Sequence, residues 1–232
     1  MRHAVNAGAL RRADDGDEQH VDTATRTDSE EVEASARDRL LSAAVAAFSE
    51  QGFHATTTRD IASRARMSPA AVYFHHASKE ELLYAISHEG HAATLDSIRA
   101  AATQADPVRR LQDVVRAFTT WHAEHHAIAR IVQYELGALS PEHFAEVVAM
   151  RRQIEQVMRE TLTFGMRVGA FEVPDVRGTA LALLSLGIDV ARWFRDGGDL
   201  SVSALGDELG PPLRSSLISM MEARLTARPV SA

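Results

Sequence analysis

Residues 68–82 read SPAAVYFHHASKEEL, and two helix starts lie inside that stretch. Ser68 is a cap residue, and Pro69 suits the first helical position because the amide there has no helical partner. Ser78 caps a second helix, with Glu81 three residues on completing a capping box. The helix between them is barely two turns long, yet it carries Tyr73, Phe74, His75 and His76. So short a helix buries little. Two readings are open at this point: Tyr73 and Phe74 pack into a small three-helix core, or they face outward.

Upstream, ARDRLLSAAVAAFSEQG at 36–52 places Leu41, Ala44, Val45 and Phe48 on one helical face and stops at Gly52. Thr57 then precedes TRDIASRA at 58–65, a short helix with a threonine cap. Arg66-Met67 form the turn into the Ser-Pro helix. Two short helices joined by a tight turn make a helix-turn-helix candidate.

Beyond Lys79 the helical period continues, with breaks at Asp106-Pro107, Gly137–Pro141, Gly169–Pro174 and Gly197-Gly198. These delimit helices near 79–102, 107–124, 126–137, 141–168, 175–196 and 203–226, the last interrupted by Pro211-Pro212. The expected fold class is all-α with about nine helices. Four segments are expected: a disordered acidic arm (1–34), a helix-turn-helix domain (35–82), a larger helical domain (83–226) and a flexible tail (227–232).

The net charge of −7 looks wrong for a nucleic-acid partner, but its distribution changes that reading. Residues 1–34 hold four arginines against nine acids, whereas 35–80 hold five arginines and Lys79 against four acids. The local field matters more than the sum. Cysteine is absent, so no disulfide, thiolate metal site or cysteine nucleophile exists in this chain. The longest nearly apolar run, TALALLSLGI at 179–188, falls far short of the roughly 20 residues a bilayer needs. Acids crowd the N-terminus where a signal peptide would be apolar, so a cytoplasmic protein is expected.

The window GFHATTTRDIASRARMSPAAVYFHHASKEEL at 52–82 resembles the N-terminal domain of the TetR family of transcriptional regulators almost position by position, over about Arg37–Leu83. Three positions depart from the family pattern. Arg66 stands for the turn glycine and calls for a left-handed residue. Ala70 stands for an early glycine, and His76 for a packed aromatic. The resemblance turns Val72 toward a core with Ile61, Ala62 and Phe48. It implies that Pro69, Ala71 and Phe74 face outward and meet the major groove, mainly through apolar contact, with the cap Ser68 counted among the DNA-binding residues. It gives Thr57, Thr58, Tyr73, His75 and Lys79 to the phosphate backbone. Arg59 matches a position that reaches a base in some relatives, and it is the strong hydrogen-bonding candidate for guanine.

Residues 84–226 carry no glycine-rich phosphate loop, no G-x-S-x-G elbow, no Glu-x-x-His and no H-E-x-x-H. Neither an enzyme, a cofactor nor a metal site is expected, although HEGH and WHAEHH place histidines at helical spacings. The rival reading, a metal-binding or catalytic bundle, predicts metal uptake or turnover and no salt-sensitive DNA binding. In the resembling family this region makes a homodimer and encloses a small-molecule pocket. Leu181, Leu184, Ile188 and Val190 on one helix, with Leu213, Leu217, Ile218 and Met221 on the last, supply the apolar stripes for a dimer seam.

Pocket candidates are Trp121, His122, His125, Gln133, Tyr134, Met150, Ile154, Met158, Phe164 and Met166. The segments YELGALSPEH at 134–143 and VARWFRDGG at 190–198 look similar to regulators of lipid and steroid breakdown, some of which sense acyl-CoA thioesters. That likeness adds Arg192, Trp193 and Arg195 as contacts for a coenzyme A moiety. The partners expected are double-stranded DNA, a second copy of the chain and a small-molecule effector, with no membrane.

Overall fold

The computed structural model describes the backbone of residues 18–193 and the side chains of 34–192. Eight α-helices follow one another: α1 (Glu18–Gln51), α2 (Thr58–Ala65), α3 (Pro69–His75), α4 (Lys79–Ala101), α5 (Pro107–Glu124), α6 (His126–Glu135), α7 (Pro141–Arg167) and α8 (Val176–Trp193). A 3₁₀ turn at Leu136–Ala138 joins α6 to α7. No described residue is in a strand. The expected helix at 203–226, its stripe and Arg195 lie outside the described residues.

Helix α1 begins at Glu18, well before the expected onset near Ser35. No glycine or proline stands between Gly16 and Gly52, so nothing in the backbone stops the helix from running back into the acidic segment. Its far end is at Gly52, whose φ of +79° takes the left-handed conformation open to glycine.

The caps are where local chemistry places them. Ser68 Oγ accepts from the Ala71 amide at 3.1 Å, Ser78 Oγ from the Glu81 amide at 3.1 Å, and Thr57 Oγ1 from the Asp60 amide at 3.2 Å. Asp60 replies by accepting from the Thr57 amide at 2.8 Å, a reciprocal capping box. The Thr57 hydroxyl, donating at 2.6 Å, with that amide second, holds the Asp60 carboxyl below the usual carboxylate range. Arg66 has φ 56° and ψ 42°, the only positive-φ residue other than glycine among those described. The turn therefore keeps a left-handed shape with a side chain where a glycine would cost less.

Two large cores form among the described residues, beside a small cluster of Val132, Leu136 and Val147, and α4 runs through both large ones. The first gathers Leu40, Ala44 and Phe48 of α1, Ile61 and Ala62 of α2, Val72 of α3, and Leu82, Leu83 and Ile86 of α4. The second gathers Leu95 and Ile98 of α4 with Leu111, Val114 and Phe118 of α5, Ile154, Met158 and Leu162 of α7, and Leu183 and Leu184 of α8. The expected boundary after residue 82 thus falls within one continuous helix, and the first core reaches Ile86. Helix α4 is a rod shared by the two units. At about 25 cal/mol per Å² of apolar surface, detaching either end exposes several large side chains and costs several kcal/mol.

Polar joints fix α4 against its neighbours. Glu80 Oε1 accepts from the Ser140 amide at 2.7 Å and from His143 Nδ1 at 2.9 Å, so an α4 carboxylate occupies the N-terminus of α7. The Tyr84 and His143 rings stack at 3.8 Å, and the Tyr84 hydroxyl donates to Glu146. That bond to a carboxylate, with some burial, pushes the Tyr84 phenol up to about 12.

Candidate nucleic-acid interface and ligand cavity

Helix α3 has one buried residue, Val72, and presents the rest. Tyr73 is 54% exposed and Phe74 78%, unusual values for aromatic side chains beside a formed core. Pro69 is exposed, and Ala71 and His75 are half-buried. Phe74 meets the His75 ring edge-on at 5.4 Å. The Tyr73 hydroxyl lies 3.2 Å from Thr58 Oγ1, tying the outer face of α3 to the start of α2. Arg59, next on α2, is exposed with no hydrogen bond or ion pair to another described residue.

Thr57 and Ser68 use their hydroxyls as caps, so what they offer a phosphate is the helix end they organise. Lys79 differs from the expected free ammonium. Its Nζ donates to Phe53 O at 2.6 Å and Thr56 O at 2.8 Å, with a long contact to His54 O at 3.4 Å. It also sits 4.2 Å from the centroid of the Phe53 ring. In this conformation the lysine staples the α1–α2 loop to the start of α4. His76 is buried at 9% exposure, filling the site of the family's packed aromatic, and desolvation lowers its pKa.

A cavity of about 260 Å³ opens in the second unit between α4, α5, α6, α7 and α8. Of the residues singled out from sequence, Trp121, His122, Gln133 and Ile154 line it. The others do not. Met158 is 1% exposed and belongs to the second core, where a buried helix face claims it. Tyr134 is 64% exposed and Met166 36%, both outside the lining. Met150 is half-buried away from the cavity. Phe164 lies under the Arg110 guanidinium at 3.9 Å, remote from it as well. The His125 ring stacks on Trp121 at 4.8 Å, behind the lining wall. Arg192 is exposed, 3.3 Å from Asp189, and the Trp193 side chain lies outside the described residues.

What sequence reasoning missed is the polar wall. His91 Nδ1 lies 2.6 Å from Ser87 O, one helical turn back, and its Nε2 accepts from Arg151 Nε at 3.1 Å. His122 Nδ1 lies 2.8 Å from Phe118 O. In both, the bond to a carbonyl places the proton on Nδ1 and leaves Nε2 as an acceptor. Burial pushes each imidazole down to about 4, so both are neutral near pH 7. In the sequence His91 is one histidine among many, and Arg151, in MRRQIEQ, reads as a solvated charge until the fold brings α7 against α4. Among the described residues no group of three or more His, Asp or Glu side chains is placed to hold a metal. No described helix is long and apolar enough to cross a membrane.

Residues 40–86 match the family described as bacterial regulatory proteins, tetR family, and residues 104–213 match the tetracyclin repressor-like C-terminal domain. The curated repressor KstR2 of Mycobacterium tuberculosis is 30% identical over 189 residues, spanning 75% of this chain and 88% of that protein. A tetR-family regulatory protein from Rhodococcus RHA1 has a crystal structure 41% identical, with a TM-score of 0.71 over 82% of this chain and 96% of the other. The structure described as ketosteroid transcriptional regulator KstR2 of M. tuberculosis is 29% identical, with a TM-score of 0.69 over 78% of this chain and 93% of that one. An outward aromatic helix between two serine caps, a left-handed turn and a cavity-bearing second unit thus belong together, and the chain is a member of the TetR family of DNA-binding transcriptional regulators, not an enzyme.

Proposed function

We propose that the chain acts as a homodimeric repressor, that each protomer lays α3 in one major groove of a palindromic operator, and that a small apolar or acyl-CoA-like effector releases it. The observation that carries this reading is the exposure of Tyr73 and Phe74 on a helix whose only inward residue is Val72. Phe74, Pro69 and Ala71 supply apolar contacts for thymine methyl groups, and Arg59 supplies the bidentate donor for guanine. Thr58, Tyr73 and His75 face phosphate, which positions the helix without reading sequence. The third N–H of Lys79, on its long contact to His54 O, is the one a phosphate takes.

Dimerisation uses α8 and the segment at 203–226. Of the expected stripe, Leu184 and Val190 are buried within the protomer and Ile188 packs on its second core, so the support on α8 comes from exposed Leu181 (44%) and Leu186 (48%). Two protomers then present their α3 helices to half-sites about 34–36 Å apart or a multiple of that. The effector enters the cavity against α4, whose other end packs under α2 and α3. It releases DNA to the extent that it binds the α4 arrangement unsuited to the operator more tightly. The apolar lining from Phe118, Trp121, Leu184 and Ile188 suits a hydrophobic body. A relative described as a ketosteroid regulator fits that chemistry.

Duplexes from the DNA flanking the gene, titrated by fluorescence anisotropy at several salt concentrations, test the reading. Specific, strongly salt-dependent binding by a dimer is expected. Arg59→Ala is expected to relax preference at one base step, by about 1–3 kcal/mol. Binding that ignores sequence, or that survives Phe74→Ala and Arg59→Ala together, contradicts the proposal.

A further inference from the structure

The cavity holds a guanidinium that no carboxylate among the described residues pairs with. Arg151 lines it, and its Nε donates to His91 Nε2, which is neutral. Its two terminal nitrogens have no hydrogen bond and no ion pair to another described residue. Two further charged groups line the cavity, Arg152 and Glu155. Glu155, one helical turn on, is the nearest candidate counter-ion by sequence, but its Oε1 lies between Arg159 Nη1 and Arg177 Nε, 3.9 Å from each. Arg151 is half-buried, and a charge taken even partly out of water is costly unless paired. Burial alone lowers the Arg151 pKa, with no carboxylate offsetting it.

Around this guanidinium the cavity is apolar, with Phe118, Trp121, Val132, Leu184 and Ile188 on its walls. Its Gly90 floor leaves room because a Cβ there would stand 3.3 Å from the Trp121 ring. At about 30 Å³ per water-sized group, 260 Å³ admits on the order of ten non-hydrogen atoms.

We infer that the effector site accepts a compact apolar carboxylate, its acid group paired with Arg151 beside His91 and His122 and its hydrocarbon body against Phe118, Trp121 and Leu184. This rests on the effector reading above and narrows it to a free acid of medium-chain or single-ring size. A planar guanidinium matches a carboxylate through two parallel N–H donors. An amide or ester of the same shape offers no charge to cancel, and neither does the acyl carbonyl of a thioester.

The test is thermal denaturation and calorimetry of the full chain with octanoate and 3-phenylpropionate, against octanamide, 3-phenylpropionamide and octanoyl-CoA. The acids are expected to raise Tm and bind ten- to a hundred-fold more tightly than their amides, as the loss of an ionic hydrogen bond implies. Arg151→Met is expected to erase that preference, and Arg151→Lys to keep part of it, which separates lost charge from a folding defect. Amides or octanoyl-CoA binding as tightly as the acids, a preference for acids that persists in Arg151→Met, or no acid binding at millimolar concentration each overturns the inference. Anisotropy on the operator duplex is run in parallel. Salt-dependent DNA binding without any acid effect leaves the DNA-binding reading standing and sinks this one.

Discussion

Replacing Lys79 by methionine separates two jobs that one ammonium can do. The wild-type Nζ makes hydrogen bonds of 2.6 and 2.8 Å to Phe53 O and Thr56 O and sits 4.2 Å over the Phe53 ring. A hydrogen bond to a charged group contributes about 1.5–3 kcal/mol, and this half-buried site takes the lower end. A cation–π contact adds about 0.5–1 kcal/mol. Water rehydrates part of the freed carbonyl pair, and methionine keeps most of the apolar stem. The net loss is then about 2–4 kcal/mol, a large share of the 5–15 kcal/mol that ordinarily holds a domain together. Urea denaturation followed by circular dichroism reads that loss. Anisotropy on an operator duplex across a salt series reads the second job, since each phosphate left without its cation lowers the slope of log K against log salt by about 0.9. The structure predicts reduced stability with affinity weakened alike on all sequences. Stability unchanged within about 0.5 kcal/mol, together with a full drop of about 0.9 in slope, would refute the staple and make Lys79 a phosphate ligand alone.

Phe74→Ala should leave the unfolding free energy from urea melts within about 0.5 kcal/mol of wild type, because an exposed side chain holds no core together, while lowering operator affinity at least several-fold in anisotropy. Gly187→Ala should destabilise by roughly 1–2 kcal/mol in the same melts. Its Cβ would stand 2.5 Å from Phe118, which is 3% exposed and cannot move away, so overpacking exceeds the helix-propensity gain of about 1 kcal/mol. His91 and His122, pushed down from 6.5 to about 4 by burial, are neutral in the folded chain while the unfolded chain takes up protons below 6.5. Their contribution is therefore complete above pH 6.5 and is lost as pH falls toward 4, on the order of a few kcal/mol for the pair. Melts at pH 7 and pH 5 should show it, with a shallower pH dependence in His91→Gln.

The sequence alone determined the helices and the outward helix. Caps, prolines and glycines act on their nearest neighbours, so Ser68-Pro69, Ser78, Thr57, Gly52 and Asp106-Pro107 marked the helix ends that form, while the outward turn of Phe74 followed from the family likeness. The family likeness rested on those same local signals. The cavity did not. Trp121 and His122 could be named, but Met158 and Tyr134 carry the same chemistry and face a core and the solvent, because burial depends on which helix packs opposite. Lys79 and Arg151 show the reason most plainly. Each is an ordinary cation on a helix until the chain folds. Then distant carbonyls close on one ammonium, and the other cation, a guanidinium, is brought to a neutral histidine 60 residues away while Glu155 of the same cavity turns to Arg159 and Arg177. Local backbone chemistry fixes where helices start and stop. Only packing at long sequence separation decides which charges end up partnered.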